Sequence, residues 1–314
     1  MSERAQRMGI TVEYVAYQDD TDVDVRLYGE LYAGLPMPVP DLGRDAADRP
    51  AWAVVARRPD GRLLGWAEVH PPAAGGDAAD VQWLLVSRER ERLTTGVHGR
   101  RAATAEERET AGRLLRGAAR RAAAGGLTAL EWTGTDGDGV AAELGAEAKE
   151  EPGGRWTTPA PLADWQRPPG LPQVTVRQVT VPAAAGLLAE HARLYSEVTG
   201  RPYTPRDAAE VLRDLPPLPH LTLDLLTPAG RTAAQATAVI AGTEALVDIV
   251  FRGAAADGPS VACLIAELVA RLRRDHPRTA LLEVQEHGDP VTAEALAAAG
   301  LRPAERWYRY RLEL

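Results

Sequence analysis

The chain has 314 residues, more than one hydrophobic core usually serves, so two domains are expected. Apolar residues at 45% and charged residues at 25% exclude intrinsic disorder, and a formal net charge of −8 argues against a general DNA or RNA binder. No run of about 18 apolar residues occurs, and MSERAQRMGITVEYVAY holds no apolar stretch of signal-peptide length, so the expectation is a cytoplasmic protein with no membrane span.

The first clear elements are a run over 51–57, the turn Pro59-Asp60-Gly61 and a run over 63–70, which predict a β-hairpin. A third strand is expected over 79–87 and a helix over 106–124, where Leu114, Leu115, Ala118 and Ala122 fall at helical spacing before Gly125-Gly126. Between and within these elements, residues 88–121 carry ten arginines against five glutamates, a pattern that suits either an anionic ligand or a solvated helix face. A short strand (128–132), a Gly/Asp loop (134–139) and a short helix (140–144) ending at Gly145 follow.

Residues 158–172 include five prolines with Pro159 and Pro172 near the ends, and their composition reads as a stiff linker between domains at 1–157 and 173–314. The second half then repeats the order of the first. It has a strand (174–179), helices (183–197 and 205–212), a hairpin (220–226 and 232–240), a third strand (245–251), a helix (260–274), a strand (280–284), a short helix (291–299) capped by Gly300 and a closing strand (306–314). The fold class is therefore α/β of the α+β kind: two tandem domains, each a mixed central sheet flanked by helices. Cys263, the single cysteine, lies in the apolar stretch VACLIAELVARL and reads as a buried thiol, while six histidines without ligand spacing predict no metal site.

This order of elements, with VDIVFRGAAADGPSVACLIAELVARLRRDHP and LLEVQEHGDPVTAEALAAAGLRPAERWYRYRLEL in the second half and GRLLRGAARRAAAGGLTALEW in the first, resembles tandem acyltransferases of the GNAT superfamily, as in mycothiol synthase-like bacterial proteins. The resemblance implies acetyl-CoA or another acyl-CoA as co-substrate, its pyrophosphate cradled at a helix N-terminus, and an amine of a small molecule as acceptor. In the second half the corresponding loop places Arg252, Gly253 and Gly258 as candidate donor-binding residues. There Asp257 would repel a phosphate and Pro259 lacks an N–H, although Pro259 also reads as a helix-starting proline.

In the first half the candidates are Val86, Ser87, Gly96, Gly99, Arg100 and Arg101, with Gly96-Val97-His98-Gly99-Arg100 approximating the family's turn. A second register puts Thr110-Ala111-Gly112-Arg113 at that turn. For acid–base work the strand carboxylates are Asp80, Glu131, Asp248 and Glu283. Asp248, set between Val247 and Ile249, is the candidate base by virtue of expected desolvation. The tyrosine that many relatives carry four residues before the glycine ending the last short helix is absent, since Leu296 and Ala141 stand there, and Tyr308, with Tyr310 beside it on the terminal strand, is the candidate substitute. Three functions stay open: N-acyl transfer from acyl-CoA, acyl transfer from another carrier such as an aminoacyl-tRNA, and a non-catalytic binding module.

Overall fold

The computed structural model describes residues 9–17, 23–31, 50–72, 75–86, 103–135, 139–180, 183–213 and 218–314. They divide into two compact units, 1–152 with 307–314, and 153–306.

Unit 1 is built on β1 (Thr11–Ala16), β2 (Trp52–Arg57), β3 (Leu63–His70), β4 (Ala78–Val86), β5 (Ala129–Thr135) and the end of β13 (Arg302–Glu313), paired in that order. All these pairings are antiparallel except β4 with β5. Alternation along the strands sends Val54, Ala67, Val81, Leu130 and Trp132 to one face, where Leu114, Leu115 and Ala118 of α2 (Ala105–Ala124) cover them. Val55 and Trp66 point to the other face, against Val23, Leu27 and Leu31 of α1 (Val23–Leu31). α2 starts at Thr104 in a capping box: the Thr104 hydroxyl accepts from Glu107 N at 3.2 Å, and Thr104 N donates to Glu107 Oε2 at 2.7 Å. Thr104→Ala is expected to cost about 1 kcal/mol, read as a lower thermal midpoint of the intact protein. After β5 come α3 (Val140–Leu144) and β6 (Glu147–Thr157).

Unit 2 takes the end of β6 and adds β7 (Thr175–Val179), α4 (Ala185–Thr199), α5 (Pro205–Arg213), β8 (His220–Leu226), β9 (Thr232–Ala241), β10 (Glu244–Val247), β11 (Val250–Arg252), α6 (Gly258–Asp275), β12 (Leu281–Glu286) and α7 (Pro290–Ala298). Its strands pair in the order β7-β8-β9-β10-β12-β6, with β10 and β12 parallel. α6 is amphipathic, and Val261, Leu264, Ile265, Leu268 and Leu272 fill the core against Leu223, Val247, Leu282 and Val284. Leu162 and Trp165, from the proline-rich segment, belong to this core, and Trp165 Nε1 donates to Ala299 O at 2.9 Å.

The chain thus exchanges strands. Residues 154–157 of β6 pair with β12 in unit 2, while residues 307–313 of β13 pair with β5 in unit 1. Neither half of the sequence supplies every strand of its own unit.

Candidate functional site

Each unit contains a parallel strand pair that parts midway. In unit 1, β4 and β5 pair from Ala78↔Ala129 to Val81↔Trp132, and beyond that point β4 stays on β3 while β5 stays on β13. The facing edges of 82–86 and 133–135 are left without a ladder partner among the described residues, which frees backbone donors and acceptors at the mouth. Gly65 fixes this mouth: a Cβ there would stand 2.2 Å from Leu85 O, so only glycine lets β3 hold the end of β4 so closely.

On the face of the unit 1 sheet opposite α2, the register aligns His70 with Asp80, Asp80 with Glu131 and Glu131 with Arg311 across four adjacent strands. Arg309 stands two residues before Arg311 on the same face. With the loop at Asp77, these side chains line a cleft of about 530 Å³ that reaches Gln82, where the strands begin to part. Arg309 Nη2 lies 2.9 Å from Asp80 Oδ1, outside hydrogen-bond geometry, and 3.1 Å from Glu131 Oε2. Arg311 binds Glu131 Oε1 at 3.0 Å, Asp77 Oδ2 at 2.7 Å and Glu313 Oε1 at 2.7 Å.

The acidities follow. Burial would raise the Glu131 carboxyl, but Arg311 and Arg309 outweigh it and hold it below the ordinary range. Hydrogen bonds from Arg311 and then Thr128 draw Asp77 down to about 2. His70 is only 8% exposed, and its Nε2 has no hydrogen-bond partner among the described residues, the nearest acid being Glu68 Oε2 at 3.7 Å. A buried imidazole nitrogen without a partner is uncommon in a folded protein, and this one belongs to a residue that lines a charged cleft.

In unit 2, β10 and β12 pair from Glu244↔Leu281 to Val247↔Val284, after which the strand bends at Asp248 and resumes as β11 on β9 alone. The parting opens a cleft of about 650 Å³ between β11, the loop after β12 and the last turn of α4. Its geometry suits a ligand at the carboxyl ends of parallel strands, yet its anion cradle is filled by the protein itself. Asp257 caps α6 and accepts from Ser260 N at 2.9 Å, while Glu197 Oε1 accepts from Ala254 N at 2.6 Å. Arg252 forks onto Asp289, Nε to Oδ2 at 2.6 Å and Nη2 to Oδ1 at 3.1 Å, and Nη1 reaches Ala256 O at 3.3 Å. A phosphate arriving there meets Glu197, Asp257 and Asp289 before a cation with free donors.

Arg252 is committed to Asp289, so the expectation of a cation open to an anion fails. Gly253 is buried and donates to Ala233 O, and Gly258 starts α6 with Pro259 in its first turn, the helix-starting role. Asp248 is exposed and not desolvated by Val247 and Ile249 as expected; its carbonyl accepts from His287 Nε2 at 2.8 Å, which pins the bend. Tyr308 is half-buried on β13 in unit 1, opposite Gly134, with its ring 6.0 Å from that of Tyr310, and Asp248 belongs to unit 2. Val86 ends β4 and packs in the core. Ser87, Gly96, Gly99, Arg100 and Arg101 lie outside the described residues. The register that put Thr110 to Arg113 at the turn is excluded, because those residues sit inside α2.

Sequence reasoning placed Asp80 and Glu131 on strands but missed His70, Arg309 and Arg311 as their neighbours. Arg309 and Arg311 come from the far end of the chain, and nothing in local pattern announces the exchange that brings them.

Neither a protein-family model nor a curated protein matches the sequence. Among solved structures, a tandem GNAT protein from the clavulanic acid biosynthesis pathway, solved without acetyl-CoA, is similar over 96% of this chain and 98% of its own, at 21% identity and a TM-score of 0.53. A GNAT-family acetyltransferase from Colwellia psychrerythraea is similar over 96% of this chain and all of its own, at 9% identity and a TM-score of 0.54. The parted parallel strands in both units and the chain-length match together establish that this chain has the tandem GNAT fold.

Proposed function

We propose that the chain is an N-acyltransferase that moves an acyl group from acetyl-CoA or another acyl-CoA to the amine of a small molecule, with unit 1 as the working half. The observation that carries this reading is the coincidence, in unit 1, of a parted β4/β5 pair with a charged cleft holding His70. An acyl donor between the strands would meet the free backbone edges of 82–86 and 133–135, which suit an amide-bearing arm and a thioester carbonyl. Its phosphates fall to the arginines of 88–101, Arg100 and Arg101 among them, since Glu107 already closes the first turn of α2 in the capping box.

In the reaction the acceptor ammonium gives one proton to the His70 imidazole. The freed amine nitrogen forms a bond to the thioester carbonyl carbon, and the C–S bond breaks. The nitrogen's surplus proton then goes to the departing thiolate, leaving an amide, a free thiol and one proton on His70. Unit 2, with carboxylates in its cradle, serves as a structural or substrate-shaping partner.

Titration calorimetry with acetyl-CoA and CoA tests the donor. Binding should be lost in Arg100→Ala/Arg101→Ala and kept in Arg252→Ala, and His70→Ala should bind donor normally while acyl transfer falls by about 10²–10⁴-fold. Absence of heat in the wild type, or loss confined to Arg252→Ala, would overturn the assignment. A second reading, with an aminoacyl-tRNA as donor, draws on the carboxylate-filled cradle of unit 2 and the arginine excess of 88–121. It requires tRNA binding that weakens steeply with salt.

A further inference from the structure

The cleft of unit 1 has a chemistry more specific than affinity for an amine. Arg311 is fully committed, through Nη1, Nη2 and Nε, to Glu131, Asp77 and Glu313. Arg309 is not: Nη2 and Nε face Asp80 and Glu131, and Nη1 has no partner among the described residues. Asp80 is likewise held at one oxygen by an ionic contact outside hydrogen-bond geometry. His70, more than nine-tenths buried, lines the same cleft, and its Nε2 has no hydrogen-bond partner among the described residues. Unspent bonding capacity is therefore of two signs, side by side: a guanidinium edge on Arg309, and a carboxylate with an imidazole at Asp80 and His70.

A simple amine satisfies only the second. A simple anion meets Asp77, Asp80 and Glu131 around the guanidinium. A zwitterion answers both, because its carboxylate takes the Nη1 side of the Arg309 guanidinium while its ammonium takes the adjoining acid, and no net charge is brought out of water.

We propose that the acceptor is an amino acid or a molecule with the same paired groups, its carboxylate held by Arg309 and its ammonium held between Asp80 and His70. This rests on the acyl-transfer reading for its chemistry, but its binding half does not need the donor. The probes are free L-amino acids, each paired with the amine that lacks only the carboxylate: L-lysine with cadaverine, L-tyrosine with tyramine, L-tryptophan with tryptamine, and so on through the common set. Binding is followed by thermal shift and calorimetry without donor, and transfer by thiol release with acetyl-CoA.

At least one amino acid is expected to bind and to be acylated, with its amine at least tenfold weaker in binding and in kcat/KM. Arg309→Met should bring that amino acid down to the level of its amine while acetyl-CoA binding stays unchanged. An amine equal to its amino acid in the wild-type protein, a difference that survives in Arg309→Met, or no amino acid bound at all would each overturn the proposal. The wild-type comparison alone decides should Arg309→Met fail to fold. Failure of the donor reading shows separately, as amino-acid binding without acetyl-CoA binding.

Discussion

Asp224→Ala is expected to remove about 3–5 kcal/mol of folding stability, enough to shift a urea midpoint markedly. Asp224 sits in the strand LTLDLL, where its neighbours Leu223 and Leu225 enter the core under α6 and it points to the other face. That face is not solvent. Asp224, His191 and Tyr195 are at most 1% exposed, and so is Gln235. His191 Nε2 lies 3.0 Å from Asp224 Oδ2, Gln235 Nε2 donates to Asp224 Oδ1 at 2.9 Å, Arg177 Nη2 donates to Oδ2 at 2.7 Å, and the Tyr195 hydroxyl donates to Gln235 Oε1. Removing the carboxylate takes a shared partner from a buried imidazole and a buried amide at once, while Arg177, about a third exposed, keeps Thr232 Oγ1 at 3.0 Å; an unpaired buried polar group costs more than the pair was worth.

The same network dictates a pH dependence. Burial would raise the Asp224 carboxyl, but His191, Gln235 and Arg177 outweigh it and hold it below the usual carboxylate range. The unfolded chain then binds more protons than the native one in that interval, so this contribution is complete above about pH 4 and is lost as pH falls through the lower native value. Asp224→Asn should keep much of the packing, lose stability at pH 7 and show a shallower acid dependence than the wild type between pH 4 and 2. An unchanged slope in the variant would remove Asp224 from the account. Burial and the charge of Asp224 push the neighbouring Tyr195 hydroxyl well above its ordinary value, so it stays a donor throughout.

The elements that local pattern specifies were legible in the sequence: both hairpins, the helices at α2 and α6 and the short helices stopped by glycine. Three kinds of feature were not. β6 reads poorly because EAKEEPGGRWT alternates little and contains Pro152 and two glycines, yet it closes a sheet in the opposite half. The functional cleft of unit 1 depends on non-local register, since Glu131 and Arg311 become neighbours only when a strand from the end of the chain pairs with β5. The buried network of unit 2 had one faint signal, a histidine and an aspartate each inside an apolar run, which commonly marks a satisfied core pair. Asp257 was the informative exception: its charge in the glycine loop was visible, and the structure supplies the reason, a helix cap that stands where an anion would.

Gly153→Ala is the other large effect. Gly153 lies on β6 where the chain passes from unit 1 to unit 2, next to Gly154, which pairs with Glu286. Its φ is +139°, a conformation L side chains rarely adopt, and an added Cβ would stand 1.9 Å from Glu286 O, 2.9 Å from Glu286 C and 3.1 Å from Gly288 N. All three are backbone atoms, so no rotamer change relieves the clash. Backbone strain of about 1–3 kcal/mol and overpacking of about 1–3 kcal/mol give an expected loss of about 2–6 kcal/mol. Gly145 provides the comparison, because its φ is +74° and nothing lies within 4 Å of an added Cβ, so Gly145→Ala carries the conformational cost alone. Thermal unfolding should therefore fall several degrees further for Gly153→Ala than for Gly145→Ala. The residues it displaces, Glu286 to Gly288, line the unit 2 cleft, whereas the unit 1 cleft uses none of them. Below its lowered midpoint, Gly153→Ala should accordingly retain the acyl transfer assigned to unit 1. Activity lost from the folded variant would instead place the chemistry in unit 2.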